Sequence, residues 1–129
     1  MTACLPALIV DDSPAARALA RAALESAAEA LGLSFEVEEA GSGAEALRAL
    51  TAGRQAVVIV DLHMPDMTGL EVLRYWQQRG GGARAVIVST DVSPRDRDKA
   101  LELGAHALIE KPVTVGALTE VLRGLEAAG

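Results

Sequence analysis

The chain has 129 residues, a length typical of one domain, and half of them are apolar although only three are aromatic, so the core must consist of Ala, Val, Leu and Ile. A formal charge of −6 argues against direct nucleic-acid binding, which needs a basic face, and no apolar stretch reaches the roughly 18–20 residues of a membrane span. One cysteine excludes an internal disulfide and the N-terminus does not resemble a signal peptide, so we expect a cytoplasmic protein.

Apolar runs of strand length alternate with helix-like segments, which is the pattern of βα units and a parallel sheet. A first strand is expected at residues 7–10 and a helix at 14–31, with Ser13 as cap and Gly32 after its end. The small residues expected to face the sheet are Ala15, Leu19, Ala22, Ser26 and Ala30. The second strand, at 35–39, alternates apolar and polar residues as an edge strand does.

The remaining elements follow in the same order. They are a helix at 44–51, a strand at 56–60, a helix at 69–79 and a strand at 85–89. A fourth helix begins after Ser93 and ends at Gly104; its thin apolar stripe predicts loose packing. That stripe consists of Ala100, Leu101 and Leu103. A strand at 107–110 precedes a helix from Thr114 that carries Leu118, Val121, Leu122 and Leu125 at helical spacing.

Four of the strand-like runs lead into polar residues that can carry chemistry. They lead to Asp11-Asp12, Asp61, Ser89-Thr90 and, through Glu110, Lys111-Pro112. The carboxyl ends of parallel strands share one edge of the sheet, where open α/β proteins bind ligands. Three carboxylates, a hydroxyl and an ammonium would therefore converge there, a set that suits a divalent cation and a phosphoryl group.

The acids have a chemical interpretation and a simpler structural one. Asp11, Asp12 and Asp61 can supply the oxygen ligands that Mg²⁺ prefers, and a cation relieves their mutual repulsion. Asp61 is the candidate nucleophile, which would form an acyl phosphate while Lys111 and Ser89 stabilise the phosphoryl oxygens. Alternatively, the acid pair caps the first helix and Asp61 starts a turn.

Several motifs in this order resemble those of response-regulator receiver domains of the single-domain chemotaxis type. The motifs are Val10-Asp11-Asp12, the stretch Val60-Asp61-Leu62-His63-Met64-Pro65-Asp66-Met67-Thr68-Gly69, Ser89, and Lys111-Pro112. The resemblance covers nearly all of residues 1–129. It implies one α/β receiver domain with a doubly wound, flavodoxin-like (βα)5 sheet in the order 2-1-3-4-5.

The resemblance also implies a role for each matching residue. Asp61 is similar to the phospho-acceptor, Asp12 to the main Mg²⁺ ligand, and Asp11 to a ligand acting mainly through water. The backbone carbonyl of His63 would join the metal, Ser89 would be the switch hydroxyl, and Lys111 would pair with the phosphate. Pro112 would follow a cis peptide bond.

The partners follow from the same resemblance. The donor would be a phosphohistidine on a sensor histidine kinase or phosphotransfer protein. An unidentified protein target would bind the face formed by helix 4, strand 5 and helix 5. The protein would be a signalling phospho-acceptor that assists its own phosphorylation and dephosphorylation rather than an enzyme. It would be a monomer or a phosphorylation-dependent dimer, and either a stand-alone regulator or a fragment of a longer chain.

Three features depart from the family pattern. Leu108 occupies the switch position that usually carries Tyr or Phe, which predicts a muted or differently connected response. Thr90 is bulkier than the usual Ala or Gly and would narrow access to the phosphoryl group. His63 and Asp91 occupy positions that influence how water reaches the acyl phosphate, so they are expected to tune its lifetime; for His63 the alternative is a solvated turn residue.

Three other functions fit parts of the sequence. Residues 41–46 match a dinucleotide fingerprint, with Asp61 placed 20 residues after Gly41, but the match follows the second strand and the chain is short. A phosphatase with an aspartyl nucleophile usually has a second acid where His63 lies. A pseudo-receiver would act as a phosphorylation-independent interaction module, an option that Leu108 keeps open.

Overall fold

The computed structural model describes residues 4–53, 55–80 and 84–123 and shows an α/β sandwich within them. Its strands are β1 (Cys4–Val10), β2 (Ser34–Ala40), β3 (Val57–Asp61), β4 (Arg84–Ser89) and β5 (Ala107–Glu110). Its helices are α1 (Pro14–Ala30), α2 (Gly43–Ala52), α3 (Gly69–Gln78), α4 (Pro94–Glu102) and α5 (Val115–Leu122). The strands are parallel in the order β2-β1-β3-β4-β5, which confirms the predicted fold class.

The central strands are apolar because both of their faces are covered. Every residue of β3 is buried, and successive side chains alternate between two cores. Leu8, Val58 and Ile87 face α2, α3 and α4, whereas Ile9, Ile59 and Val86 face α1 and α5. This arrangement places helices on both faces and leaves the carboxyl edge of the sheet to the loops.

The strand register fixes the relative heights of the polar residues at that edge. Val10 pairs with Val60, and Asp61 pairs with Val88. Ser89 therefore lies one residue beyond the level of Asp61, and it pairs with Glu110. The apolar pairing below holds the strand ends in place, so the residues that follow them start from defined positions.

The prediction of which face of α1 contacts the sheet is wrong. All five predicted residues are exposed; those that α1 buries are Ala20, Ala23, Leu24, Ala27 and Ala28. Alanine occurs on both sides of this helix, so apolar residues alone do not identify its buried side. Glu29 lies beside the predicted face, whereas the observed face contains Leu24 and avoids burying that carboxylate.

The last two helices, α4 and α5, differ in how many side chains they bury, as the sequence predicts. All of α4 is described, and it buries Ala100 alone, with Leu101 50% exposed and Leu103 half-buried just after the helix. Leu118, Val121 and Leu122 of α5 are buried, while Leu125 lies outside the described residues. Within the described part of the chain, no helix has the length and apolarity to cross a membrane.

Candidate metal and phosphoryl site

Three of the four predicted polar strand ends meet in one pocket at the carboxyl edge, and the fourth, Ser89, ends the strand that pairs with β3. Asp11 follows β1, Asp61 ends β3, Ser89 ends β4 and Lys111 follows β5. Asp11, Asp61 and Ser89 are the buried polar residues of the part of the chain that the structure describes. Buried polar side chains are costly unless they are paired or used, so this group marks the site.

Three of the pocket's side chains offer carboxylate oxygens close to one another. One oxygen from each of Asp11, Asp12 and Asp61 lies within 4.8 Å of the others, and Asp12 is the exposed member. An oxygen-only set with an open side suits Mg²⁺, which keeps several of its waters. The residues present therefore fit this ion.

The simpler interpretation of the acid pair, as the cap of the first helix, is wrong. The cap of α1 is Ser13, whose Oγ accepts the Ala16 backbone N–H at 3.2 Å. Asp11 Oδ1 accepts the Ser13 N–H at 2.9 Å, which fixes the loop instead of the helix end. The second oxygen of Asp11 faces the pocket.

Lys111 brings its ammonium to two of the carboxylates. Its Nζ lies 2.8 Å from Asp11 Oδ2 and 3.4 Å from Asp61 Oδ1. The contact with Asp11 is the closer one, although the resemblance implies a lysine that pairs with the phosphorylated residue. Burial disfavours the charged ammonium, but the hydrogen bonds and charges of Asp11 and, to a smaller extent, Asp61 outweigh it and raise the pKa of Lys111.

The positive charge in the pocket does not fully compensate the Asp61 carboxylate. Burial and the negative charge of Asp11 raise the pKa of Asp61 above its ordinary value of 3.8. Lys111 and the backbone N–H of His63 oppose this shift without cancelling it. The pocket thus carries more negative charge than it neutralises, a condition that a bound cation relieves.

The hydroxyl of Ser89 is occupied within its own loop. Its Oγ donates to the Asp91 carbonyl at 2.9 Å and accepts the Asp91 N–H at 3.2 Å. Thr90 and Asp91, which follow it in the chain, are exposed, and so is His63, two residues after Asp61. Leu108 is buried in the core cluster that contains Ile87 and Ala100. The roles of these residues in phosphoryl lifetime and switching stay predictions.

The loop after Asp61 is tied to α2 by a residue that the sequence analysis did not single out. Asp66 accepts the backbone N–H groups of Gly43 and Ala44 at 3.0 and 2.9 Å, and these bonds lower its pKa. The amides that a dinucleotide phosphate would need at this helix start are therefore already bonded. The dinucleotide alternative is wrong for residues 41–46.

Two further features border the pocket. The Lys111–Pro112 peptide bond is cis, as the resemblance to receiver domains implies. A mainly apolar cavity of about 260 Å³ lies beside Lys111, between α1 and the loop after β5, with walls that include Ala16, Leu19 and Val113. Leu19 is 61% exposed at this place. The charged site thus opens next to apolar surface.

Arg17 is a second residue that the sequence analysis missed. Its Nη1 donates to the Asp11 backbone carbonyl at 2.6 Å, and its Nε pairs with Glu39 Oε1 at 2.9 Å. The available signal was an arginine one turn into a helix that follows the acid pair. The second part of the signal was an acid near the end of the neighbouring strand, Glu39.

Known proteins share this fold and sequence pattern. The sequence model of the response regulator receiver domain matches residues 7–123. The crystal structure of the chemotaxis protein CheY4 of Vibrio cholerae is 30% identical, with a TM-score of 0.79 over 93% of this chain and 97% of that one.

Curated relatives contain the same region as part of longer chains. The sensor histidine kinase RcsC of Salmonella typhi is 30% identical over 89% of this chain, and a protein-glutamate methylesterase/protein-glutamine glutaminase of Koribacter versatilis is 33% identical over 95% of it. This chain spans 12% and 34% of those proteins. The profile match, the strand order and the sequence similarity agree that the chain belongs to the response regulator receiver domain family of two-component systems.

Proposed function

We propose that this receiver accepts a phosphoryl group on Asp61, with Mg²⁺, from a phosphohistidine of a sensor kinase or phosphotransfer protein. One observation carries the proposal. The buried Asp61 carboxylate lies within 4.8 Å of oxygens from Asp11 and Asp12 and 3.4 Å from the Lys111 ammonium. A nucleophile, a cation site and a fixed positive charge therefore surround the same space.

The reaction would be a direct phosphoryl transfer. A carboxylate oxygen of Asp61 attacks phosphorus, the P–N bond to the donor histidine breaks, and the ring nitrogen keeps the electron pair and takes up a proton. Bound Mg²⁺ would neutralise charge on the phosphoryl oxygens. Lys111 would supply a point charge to those oxygens, and Ser89 would donate a hydrogen bond after leaving Asp91.

The test uses phosphoramidate, a small donor with the same P–N bond, and follows incorporation by intact mass. Wild type with Mg²⁺ should gain one phosphoryl group. Asp61→Asn should gain none, because it lacks the nucleophile, and Asp12→Asn should need far more Mg²⁺. Equal incorporation in Asp61→Asn would show that the acceptor lies elsewhere. Sustained release of phosphate from a small ester, over many turnovers, would instead support the phosphatase alternative.

The apolar cavity supports a protein donor. Leu19 and Val113 border it, within reach of an apolar side chain of a partner whose histidine enters the pocket. Leu19→Glu should therefore slow transfer from an autophosphorylated kinase about 10-fold or more while leaving transfer from phosphoramidate unchanged. Equal rates with the kinase would exclude this surface from donor docking.

His63, Thr90 and Asp91 are proposed to set the lifetime of the acyl phosphate. All three are exposed around the pocket, where they can direct or block the attacking water. The dephosphorylation rate of purified phosphoprotein should change in His63→Ala or Asp91→Ala, and Thr90→Ala should open access to water. Unchanged rates in both His63→Ala and Asp91→Ala would exclude the idea.

Output is proposed to pass through the surface of α4, β5 and α5. Leu108 is already buried under α4, so no ring can turn inward there. Amide shifts on this surface with beryllofluoride and Mg²⁺ should be smaller than in relatives with an aromatic residue at this position. Shifts of equal size would contradict the muted response, and no binding of the analogue would favour the pseudo-receiver. The same titration, followed by sedimentation, distinguishes a monomer from a phosphorylation-dependent dimer.

A further inference from the structure

The Arg17 side chain connects the acid pair to the neighbouring strand. It is 19% exposed, and its guanidinium bonds the Asp11 carbonyl at 2.6 Å and Glu39 Oε1 at 2.9 Å. Glu39 belongs to β2, so one guanidinium spans α1, the loop after β1 and the edge strand. Arginine suits such a place because its planar fork donates in fixed directions.

The bonded carbonyl is the one between the two acids. It belongs to the peptide group that joins Asp11 to Asp12, so a donor fixed on it sets the plane of that group. The Asp11 N–H is bonded as well, to the Ala40 carbonyl at 3.1 Å. Both sides of Asp11 are therefore anchored to elements outside its own loop, and Asp12 follows directly from the anchored group.

Arg17 and Lys111 contact different parts of the acid cluster. Lys111 contacts the carboxylate oxygens themselves, at 2.8 Å from Asp11 and 3.4 Å from Asp61. Arg17 contacts the backbone of Asp11, and its charge is paired with Glu39. A cation that binds the carboxylates therefore leaves the Arg17 contacts intact, so they persist in the loaded site.

We propose that Arg17, oriented by Glu39, is a positioning residue that holds the Asp11–Asp12 peptide group in the geometry Mg²⁺ requires. This inference rests on the proposed function, because it assumes that the acid cluster binds the ion. Partners that orient metal ligands commonly contribute about 10–100-fold to metal affinity. Mg²⁺ demands near-ideal octahedral geometry, whereas Ca²⁺ accepts more ligands and looser angles, so a positioning residue should matter more for Mg²⁺.

The experiment measures Mg²⁺ and Ca²⁺ affinities of the full chain by calorimetry. Arg17→Ala should weaken Mg²⁺ binding at least about 10-fold and Ca²⁺ binding clearly less, so the preference for Mg²⁺ falls. Arg17→Lys should be intermediate, because an ammonium cannot span both acceptors with the same fork, and Glu39→Gln should lose part of the effect. Arg21→Ala is the matched control: Arg21 lies on the same helix and bonds Glu39 at 3.2 Å, so its variant should stay within twofold of wild type.

The outcomes separate the two proposals. Wild type that binds Mg²⁺ while Arg17→Ala binds it equally well overturns the role of Arg17 and leaves the receiver function intact. An equal loss of Mg²⁺ and Ca²⁺ affinity, together with a lower thermal midpoint in EDTA, assigns Arg17 a structural role and also overturns it. Wild type that binds no Mg²⁺ overturns both.

Discussion

The carboxyl edge of the sheet has two halves that are held in different ways. The acid half, after β1 and β3, is tied to other elements: Arg17 connects it to β2, and Asp66 connects it to α2. In the hydroxyl half, after β4, the Ser89 side chain bonds Asp91 within its own loop, two residues away, and the Ser89 carbonyl accepts the Lys111 N–H beside β5. The helix that follows this half, α4, buries one side chain.

This difference indicates where the molecule can change shape at low cost. Moving the acid half would break bonds to α1, β2 and α2, whereas moving the Ser89 hydroxyl breaks two bonds inside one loop and uncovers little apolar surface. A receiver needs one rigid half and one movable half, since its ligand-binding groups must be preorganised and its output surface must be able to change conformation.

Gly69→Ala should be the most damaging change to the acid half. A Cβ at this buried position would lie 2.5 Å from the Asp61 backbone oxygen and 3.0 Å from Val60 Cγ1, so the β3 end must move. We expect a loss of about 2–3 kcal/mol in the free energy of unfolding, measured in urea. Gly116→Ala on α5 is the control: its Cβ meets nothing within 4 Å, and the change should be neutral or stabilising. Equal losses would show that helix glycines, rather than this contact, matter.

Asp61→Asn should stabilise the metal-free protein by about 1 kcal/mol at pH 7, because it removes a buried charge beside Asp11. The folded-state pKa of Asp61 lies above 3.8, so the wild type is penalised as pH rises through that pKa. The advantage of the variant should therefore disappear below pH 3.8. Urea unfolding across this range in EDTA measures it, and an advantage independent of pH would contradict the charge explanation.

Asp66→Asn should lower the free energy of unfolding, and the size of this change should be smaller than that of the increase expected for Asp61→Asn. The Gly43 and Ala44 amides lower the pKa of Asp66, so its contribution is present above 3.8 and is lost as pH falls through the folded-state value. The difference between wild type and variant should thus close in acid. Glu102→Gln, at an exposed position on α4, serves as the control for removing one surface carboxylate. If the difference in unfolding free energy between wild type and Asp66→Asn grew in acid, the ionised form of Asp66 would not be the stabilising one.

Leu101→Ala should have the smallest effect. The side chain is 50% exposed on α4, so its truncation should change the free energy of unfolding by no more than about 0.5 kcal/mol. Amide hydrogens of α4 should also exchange faster than those in the middle of α1, which buries five side chains. A loss above 2 kcal/mol, or slower exchange in α4, would mean that the hydroxyl half is as firmly held as the acid half.

The strand ends were predictable from sequence because a buried parallel strand is a short apolar run that stops where polar residues begin. Asp61, Ser89 and Lys111 each follow such a run, and the sheet order then brings them together. The buried face of α1 was not predictable by the same reasoning, since alanine marks neither side of a helix. Arg17 and Asp66 were not identified either. Arg17 bonds a backbone carbonyl and Asp66 bonds backbone N–H groups of a distant helix, and backbone groups leave no pattern in side-chain types.

The lysine contact has a consequence for the order of events at the site. The Lys111 ammonium occupies the same oxygen, Asp11 Oδ2, that faces the pocket, and it is farther from Asp61. If the site binds Mg²⁺ and Asp61 accepts the phosphoryl group as proposed, a divalent ion arriving at this oxygen would displace the ammonium toward Asp61. Metal binding would then have a second effect: it would move the positive charge of Lys111 to the position at which the phosphoryl group would arrive.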